Sequence, residues 1–255
     1  MSNIFGLQRD ISASDGKNAI AFQQDKFGDR AHVLFLHGFR SDMTGDKVRY
    51  LEQFCAQNHL TFTRLDYRGH GQSGGHYTEF GAQDWLDDVL QIVDKHTNGP
   101  LVVVGSSLGG WLMFLLAKAR PDRIQALVGI AAAPDFPTEL ALKAATPEQL
   151  AAFERSGQIV EESAYSDEPN IFSARLFESV HTHSFFASPF ATDKPVRLLQ
   201  GTEDVPVPVA HAHRILRHIE GDDVTLTLIK GGDHRLSTPH NLSILGQTIS
   251  ALIAS

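Results

Sequence analysis

One cysteine in 255 residues cannot form an internal disulfide. No covalent staple is expected, and a reducing compartment suits the chain. Cys55 itself falls in a helical pattern with Val48, Leu51 and Phe54, as a small core residue. Lysine and arginine number 22 against 30 aspartates and glutamates, for a net charge of −8, and no Lys/Arg run occurs. A surface that tracks nucleic-acid phosphates is thereby excluded. No apolar stretch is long enough to cross a membrane. The opening MSNIFGLQRDIS carries neither a basic-then-apolar leader nor an Arg-rich amphipathic face. No Pro-rich or Gly/Ser-rich linker divides the chain, so one domain over residues 1–255 is expected, soluble and cytoplasmic.

What is present centres on Leu101–Trp111, LVVVGSSLGGW. Leu101 to Val104 is a short, mostly β-branched apolar run, as in a strand buried on both faces of a parallel sheet. Gly105-Ser106-Ser107-Leu108-Gly109 follows directly, and an apolar helix begins at Trp111. A GxSxG between strand and helix is a nucleophile elbow, with Ser107 projecting at the helix N-terminus, where main-chain N–H groups favour developing negative charge. Ser106 lacks the flanking glycines and is the weaker nucleophile.

The remaining chain reads as alternating strands and helices. Residues 3–12 and 18–25 suggest two antiparallel strands around Ser14-Asp15-Gly16, and Val33–Leu36 the first buried strand. His37-Gly38-Phe39-Arg40 comes next; the Phe39 and Leu108 N–H groups are expected to form a two-donor oxyanion hole. His37 reads as structural. A helix is expected over about 46–57 and a strand over Leu60–Leu65. Gly69, Gly71 and Gly74 then spell GxGxxG, but no helix pattern opens after them and Asp94 falls inside a helix, so a dinucleotide site is set aside. Residues 82–96 form an amphipathic helix and Ile124–Ile130 a further strand.

From Asp135 to Pro189 the character changes: helical patterns at Pro137–Lys143, Pro147–Ser156 and Ile171–His181, a polar loop at Ser163–Asn170, and many phenylalanines. This 135–189 insertion falls at the sheet edge that carries the elbow and is a candidate helical lid, its phenylalanines mostly packing on the core. The sheet resumes at Val196–Gln200, leading to Asp204 and to a helix with Pro208 in its first turn. Val224–Ile229 is the last strand, and His234 follows it.

An acid after the penultimate strand and a histidine after the last give the order Ser107, Asp204, His234, which belongs to the α/β-hydrolases. In that arrangement His234 takes the Ser107 proton, and Asp204 fixes the imidazole and steadies its cation. Glu203 and Asp135 are the alternative acids. Thirteen histidines raise the question of metal, but His181/His183 and His211/His213 are two apart and lack ligand companions, so no metal is expected.

GSSLGGWL, PVRLLQGTEDVPVP and GGDHR together resemble the α/β-hydrolase superfamily over essentially the whole chain. VGSSLGGWL and GDHR are most similar to its branch of palmitoyl-protein thioesterases and acyl-glucuronide esterases. The resemblance implies an eight-stranded, mostly parallel sheet with a lid, no cofactor, and hydrolysis of a small-molecule or acylated-protein ester or thioester through an acyl-enzyme. Phe39 and Trp111 are positioned to wall an acyl chain and Arg40 to meet an anionic group, each against the simpler reading of packing or solvation. Aminopeptidases and C–C bond hydrolases of the same fold, or a binding protein without turnover, are the competing functions.

Overall fold

The computed structural model describes residues 8–11, 19–162 and 167–254. Eight strands form one sheet: β1 (Gln8–Ile11), β2 (Ala19–Lys26), β3 (His32–Leu36), β4 (Thr61–Leu65), β5 (Leu101–Ser106), β6 (Ile124–Ile130), β7 (Val196–Gly201) and β8 (Val224–Ile229). Their order across the sheet is β1-β2-β4-β3-β5-β6-β7-β8. From β4 to β8 every pair is parallel, while β1 and β2 join antiparallel at one edge. The parallel pairing requires crossovers, supplied by helices α1 (Asp46–Gln57), α2 (Ala82–His96), α3 (Leu108–Ala119), α4 (Pro147–Ser156), α5 (Ala174–His183) and α6 (Val209–His218); α7 (Pro239–Ala254) follows the last strand.

β5 lies at the centre and is buried at every position, which is why it reads as an unbroken apolar run rather than an alternating one. Two apolar layers flank the sheet. Trp85, Val89 and Ile92 of α2 and Trp111, Leu112 and Phe114 of α3 pack on one face. Val48, Leu51 and Phe54 of α1 join Leu245, Ile249 and Leu252 of α7 on the other. Cys55 is buried in that second layer, as its spacing predicts. Because all six parallel strands point the same way, every loop after a strand end opens on one edge, where a doubly wound sheet binds its ligands.

The insertion between β6 and β7 departs from the sequence pattern in two places. Pro137–Ala141 is a π-helical turn running into a last turn at Leu142–Ala144. The third expected helix is shorter: Asn170–Phe172 pairs antiparallel with Ile159–Glu161, and α5 starts only at Ala174. Ser173 sets that boundary, its Oγ accepting the Leu176 N–H at 3.3 Å as an N-cap. α4 begins as its sequence predicts, with a reciprocal Thr146/Gln149 capping box. Part of the polar loop, 163–166, lies outside the described residues, as do residues 3–7 and the Ser14-Asp15-Gly16 turn. The insertion's phenylalanines meet the core: Phe185 stacks on Phe114 of α3 at 4.4 Å between ring centres, and Phe172 lies 5.5 Å from Phe39.

Candidate active site

The elbow is set by steric fit. Ser107 has φ 54° and ψ −115°, a left-handed backbone that a non-glycine residue adopts only under constraint. Its N–H donates to the Ile130 carbonyl at 2.9 Å, and its own carbonyl accepts the N–H groups of Gly110 and Ala133 at 2.9 and 3.1 Å. α3 starts so abruptly that a Cβ on Gly105 would stand 2.3 Å from the Gly109 carbonyl oxygen. One on Gly109 would stand 2.0 Å from that of Leu36. Both glycines are therefore demanded by backbone passing backbone.

The loops after β7 and β8 bring two further side chains to the same point. His234 Nε2 lies 3.2 Å from Ser107 Oγ, and its Nδ1 lies 2.9 and 3.1 Å from the two carboxylate oxygens of Asp204. The Asp204 carboxylate is buried and fully engaged: Oδ1 accepts the Val207 N–H at 2.8 Å and Oδ2 accepts Gln200 Nε2 at 2.8 Å. With Nδ1–H donating to the carboxylate, Nε2 presents its lone pair to the Ser107 hydroxyl. Gln200 is a partner that the motifs do not single out, although an amide following Leu198-Leu199 at the end of a strand that leads to Asp204 is a visible signal. Neither alternative acid meets His234. Glu203 is exposed. The Asp135 carboxylate accepts Ser184 Oγ at 2.6 Å and the N–H groups of Phe185 and Phe186 at 2.8 and 3.1 Å, closing the neck of the insertion.

A cleft of about 220 Å³ opens beside Ser107, bordered by Gly38, Phe39, Arg40, Lys47, His234 and Arg235. The turn after β3 passes directly over the serine: a Cβ on Gly38 would stand 3.4 Å from Ser107 Cβ. Neither the Phe39 nor the Leu108 N–H donates to a protein acceptor among the described residues. Phe39 packs its ring among Tyr77, Phe136 and Phe172. Arg40 is turned toward the insertion, donating to the Glu168 and Pro169 carbonyls at 2.9 and 2.7 Å and to the Glu168 carboxylate at 3.2 Å. Trp111 is fully buried away from the cleft, its indole N–H donating to the His183 carbonyl at 3.0 Å. Burial, with Arg235 nearby, lowers the Lys47 ammonium to about 8. Burial likewise holds His37 down at about 4, neutral at ordinary pH. The Gly69/Gly71/Gly74 stretch opens no helix; a short 3₁₀ turn at Tyr77–Glu79 follows.

This sheet, with an elbow serine above its centre and the Asp204 and His234 loops beside it, defines a class. The sequence model of the alpha/beta hydrolase fold matches residues 31–159, and the chain belongs to the α/β-hydrolase family. Among its relatives is the mitochondrial palmitoyl-protein thioesterase ABHD10 of Mus musculus. The two are 38% identical over 225 residues, covering 87% of this chain and 74% of the relative. The Homo sapiens protein of the same name is 34% identical over 229 residues, covering 87% and 72%. These names fall in the branch that VGSSLGGWL and GDHR resemble. A solved structure of the mouse alpha/beta hydrolase domain-containing protein 10 superposes with a TM-score of 0.87 at 34% identity, covering 98% of both chains. A crystal structure from Agrobacterium vitis S4 superposes with a TM-score of 0.91 at 33% identity, again over 98% of both.

Proposed function

We propose that this protein is a serine hydrolase that cleaves carboxylic thioesters or esters through an acyl-enzyme on Ser107, with Asp204 and His234 completing a catalytic triad. The observation that carries the reading is the continuous chain from Ser107 Oγ to His234 Nε2 at 3.2 Å and from His234 Nδ1 to Asp204 at 2.9 Å. The thioesterase-named relatives add support for the acyl-transfer class.

In this reading Ser107 attacks the acyl carbonyl as His234 Nε2 takes its proton. The Phe39 and Leu108 N–H groups receive the oxyanion, Leu108 at the first turn of α3, where the helix leaves such donors unused. The imidazolium, held by Asp204, returns its proton to the departing thiol or alcohol. Water activated by the same imidazole then releases the acid.

The cleft of about 220 Å³ is small beside the roughly 300–1,000 Å³ of ordinary ligand pockets. A short acyl group fits it. A long chain requires the rings of Phe39, Phe136 and Phe172 to part, which assigns the 135–189 insertion the role of a lid. Reducing conditions suit the buried Cys55, and we read the location as cytoplasmic.

A fluorophosphonate probe tests the nucleophile: wild type is expected to label and Ser107→Ala not to. On p-nitrophenyl esters and acyl thioesters of graded length, Ser107→Ala is expected to lose at least about 10³-fold in kcat with an unchanged melting temperature. A folded wild type that neither labels nor turns over any of these substrates overturns the reading.

A further inference from the structure

The segment after β4, Asp66 to Ser73, has no part in the chemistry above, yet it holds a fully buried carboxylate next to the turn that carries Phe39. Asp66 Oδ1 accepts the Met43 N–H at 2.7 Å, and Oδ2 accepts the Gln72 N–H at 2.8 Å. One carboxylate thus joins two loops that are far apart in sequence. The neighbouring Tyr67 hydroxyl donates to the His37 carbonyl at 3.1 Å, and the His37 ring lies on the Tyr67 ring at 4.2 Å. His37 Nδ1 is 2.8 Å from the Gly38 carbonyl and so carries the proton, which leaves Nε2 facing Asp66 Oδ1 at 3.7 Å.

The far side of this junction is firmly anchored. Ser73 Oγ donates to the Asp66 carbonyl at 2.5 Å and accepts the Ala21 N–H of β2 at 2.8 Å. Arg68 is fixed to Asp88 of α2 through its main-chain N–H at 2.8 Å and its Nε at 2.6 Å. A Cβ on Gly71 would stand 2.1 Å from Asp66 Oδ2. The middle glycine of the GxGxxG pattern is therefore required by the seat of the carboxylate, with no ligand involved. The near side has less of its own: residues 37–45 form no helix or strand, one main-chain bond, Ser41 N–H to the Gly38 carbonyl at 3.1 Å, closes the turn that carries Phe39, and beyond it Asp42 Oδ1 accepts the Thr44 N–H and hydroxyl at 2.7 and 2.6 Å.

We propose that Asp66 is a positioning residue for the reaction: by tying the 37–43 turn to the glycine loop, with Tyr67 holding the His37 carbonyl, it fixes where the Phe39 N–H points above Ser107. The inference rests on the serine-hydrolase reading, in which that N–H receives the oxyanion. An oxyanion donor must be held to a fraction of an ångström, and a misplacement of about 1 Å costs on the order of 100-fold. A turn with so little internal bonding needs an outside anchor, and the buried carboxylate is that anchor. Burial pushes its acid form up to about 6, so the carboxylate stays ionised and accepting at neutral pH.

The test separates positioning from folding. Asp66→Asn keeps the shape but turns an NH2 group toward one of the two main-chain donors. It is expected to lower kcat by about 10- to 100-fold with KM within about twofold. Affinity for a trifluoromethyl ketone, which forms an oxyanion on Ser107, is expected to fall by the same factor, while affinity for the product acid holds. Tyr67→Phe, which removes a single hydroxyl, is expected to show the same signature at about 3- to 10-fold and serves if the Asn variant does not fold. A folded Asp66→Asn with wild-type kcat and ketone affinity overturns the proposal. Equal loss of ketone and product affinity does so too, marking a purely structural role. If wild-type protein is not labelled by fluorophosphonate, it is the serine-hydrolase reading that fails, and this inference falls with it.

Discussion

Ser107 follows β5 directly, Asp204 comes shortly after β7, and His234 shortly after β8, so strand ends deliver all three side chains. The insertion is held differently. It meets the rest of the molecule through side chains: Phe136, Phe172, Leu176, Phe177 and Phe185 join the apolar layer of α2 and α3, and polar anchors come from Arg40 in the turn after β3, Trp111 of α3, and Asp84 of α2, whose carboxylate pairs with Arg175 at 2.7 and 2.8 Å. Asp135 ties the insertion's own two ends together. Side chains placed by backbone share the stability of the whole sheet. An element held by side chains opens at the cost of the packing and bonds broken there, without unfolding the sheet. The contrast places the proposed reacting groups on the backbone of the sheet and their cover on side-chain contacts.

The largest expected effect breaks the first half of that contrast. Gly109→Ala brings a methyl within 2.0 Å of the Leu36 carbonyl oxygen and 2.7 Å of that of His37, and neither is a side chain that can swing aside. The elbow and the turn after β3 must both shift. A loss of about 4 kcal/mol or more is expected, with the melting temperature down by about 10 °C or more. Thermal unfolding followed by circular dichroism checks it. A variant that melts within about 2 °C of wild type removes the claim that the elbow is sterically fixed.

Asp135→Ala tests the second half and is expected to do less globally. It strips the acceptor from Ser184 Oγ and from the N–H groups of Phe185 and Phe186, leaving one buried and two half-buried donors unpaired. The cost is about 3 kcal/mol, and it falls on the neck of the insertion. Hydrogen exchange is expected to quicken across α4 and α5 while β5 and β6 stay protected. Uniform quickening over the whole chain would mean that insertion and sheet unfold as one unit.

Sequence legibility follows the same division. β5 and, past Gln125, β6 are buried on both faces and read as apolar runs, and α2 carries its apolar face at helical spacing. The order of Ser107, Asp204 and His234 was legible because each follows a strand that is itself legible. The insertion was legible in part, with α4 where its pattern predicts. The pairing of Ile159–Glu161 with Asn170–Phe172 involves three residues a side, too few for an alternation to register, and the helical pattern beyond it ran on through Ile171. Asp135 read as a spare acid, since nothing in the chain between them signals that Ser184 and Phe185 return to it. Gly69, Gly71 and Gly74 carry the spacing of a nucleotide fingerprint, which the absent helix pattern and the place of Asp94 set aside; what stayed illegible is their use, because spacing alone does not show that Gly71 admits the Asp66 carboxylate.

The smallest expected effect lies at the seam between the regions. Arg40 reads from sequence as a contact for an anionic substrate or as a solvated side chain, and instead it grips the insertion. Its guanidinium reaches two carbonyls, the Asn170 side chain at 3.2 Å and the Glu168 carboxylate, and stacks over Tyr77 at 5.4 Å. Glu168 is 84% exposed at its side chain, so the ion pair itself contributes little, and the carbonyl contacts do most of the holding. Arg40→Gln is therefore expected to leave the melting temperature within about 2 °C while quickening exchange at 168–172. If the insertion must part from Phe39 to admit a long acyl chain, loosening this grip favours long substrates over short ones. The ratio of kcat/KM for a twelve-carbon ester over a four-carbon ester is expected to rise by about two- to fivefold, equivalent to about 0.4–1 kcal/mol. An unchanged ratio alongside faster exchange would mean that the insertion opens without governing access to Ser107, and the contrast between a fixed site and a movable cover would lose its functional meaning.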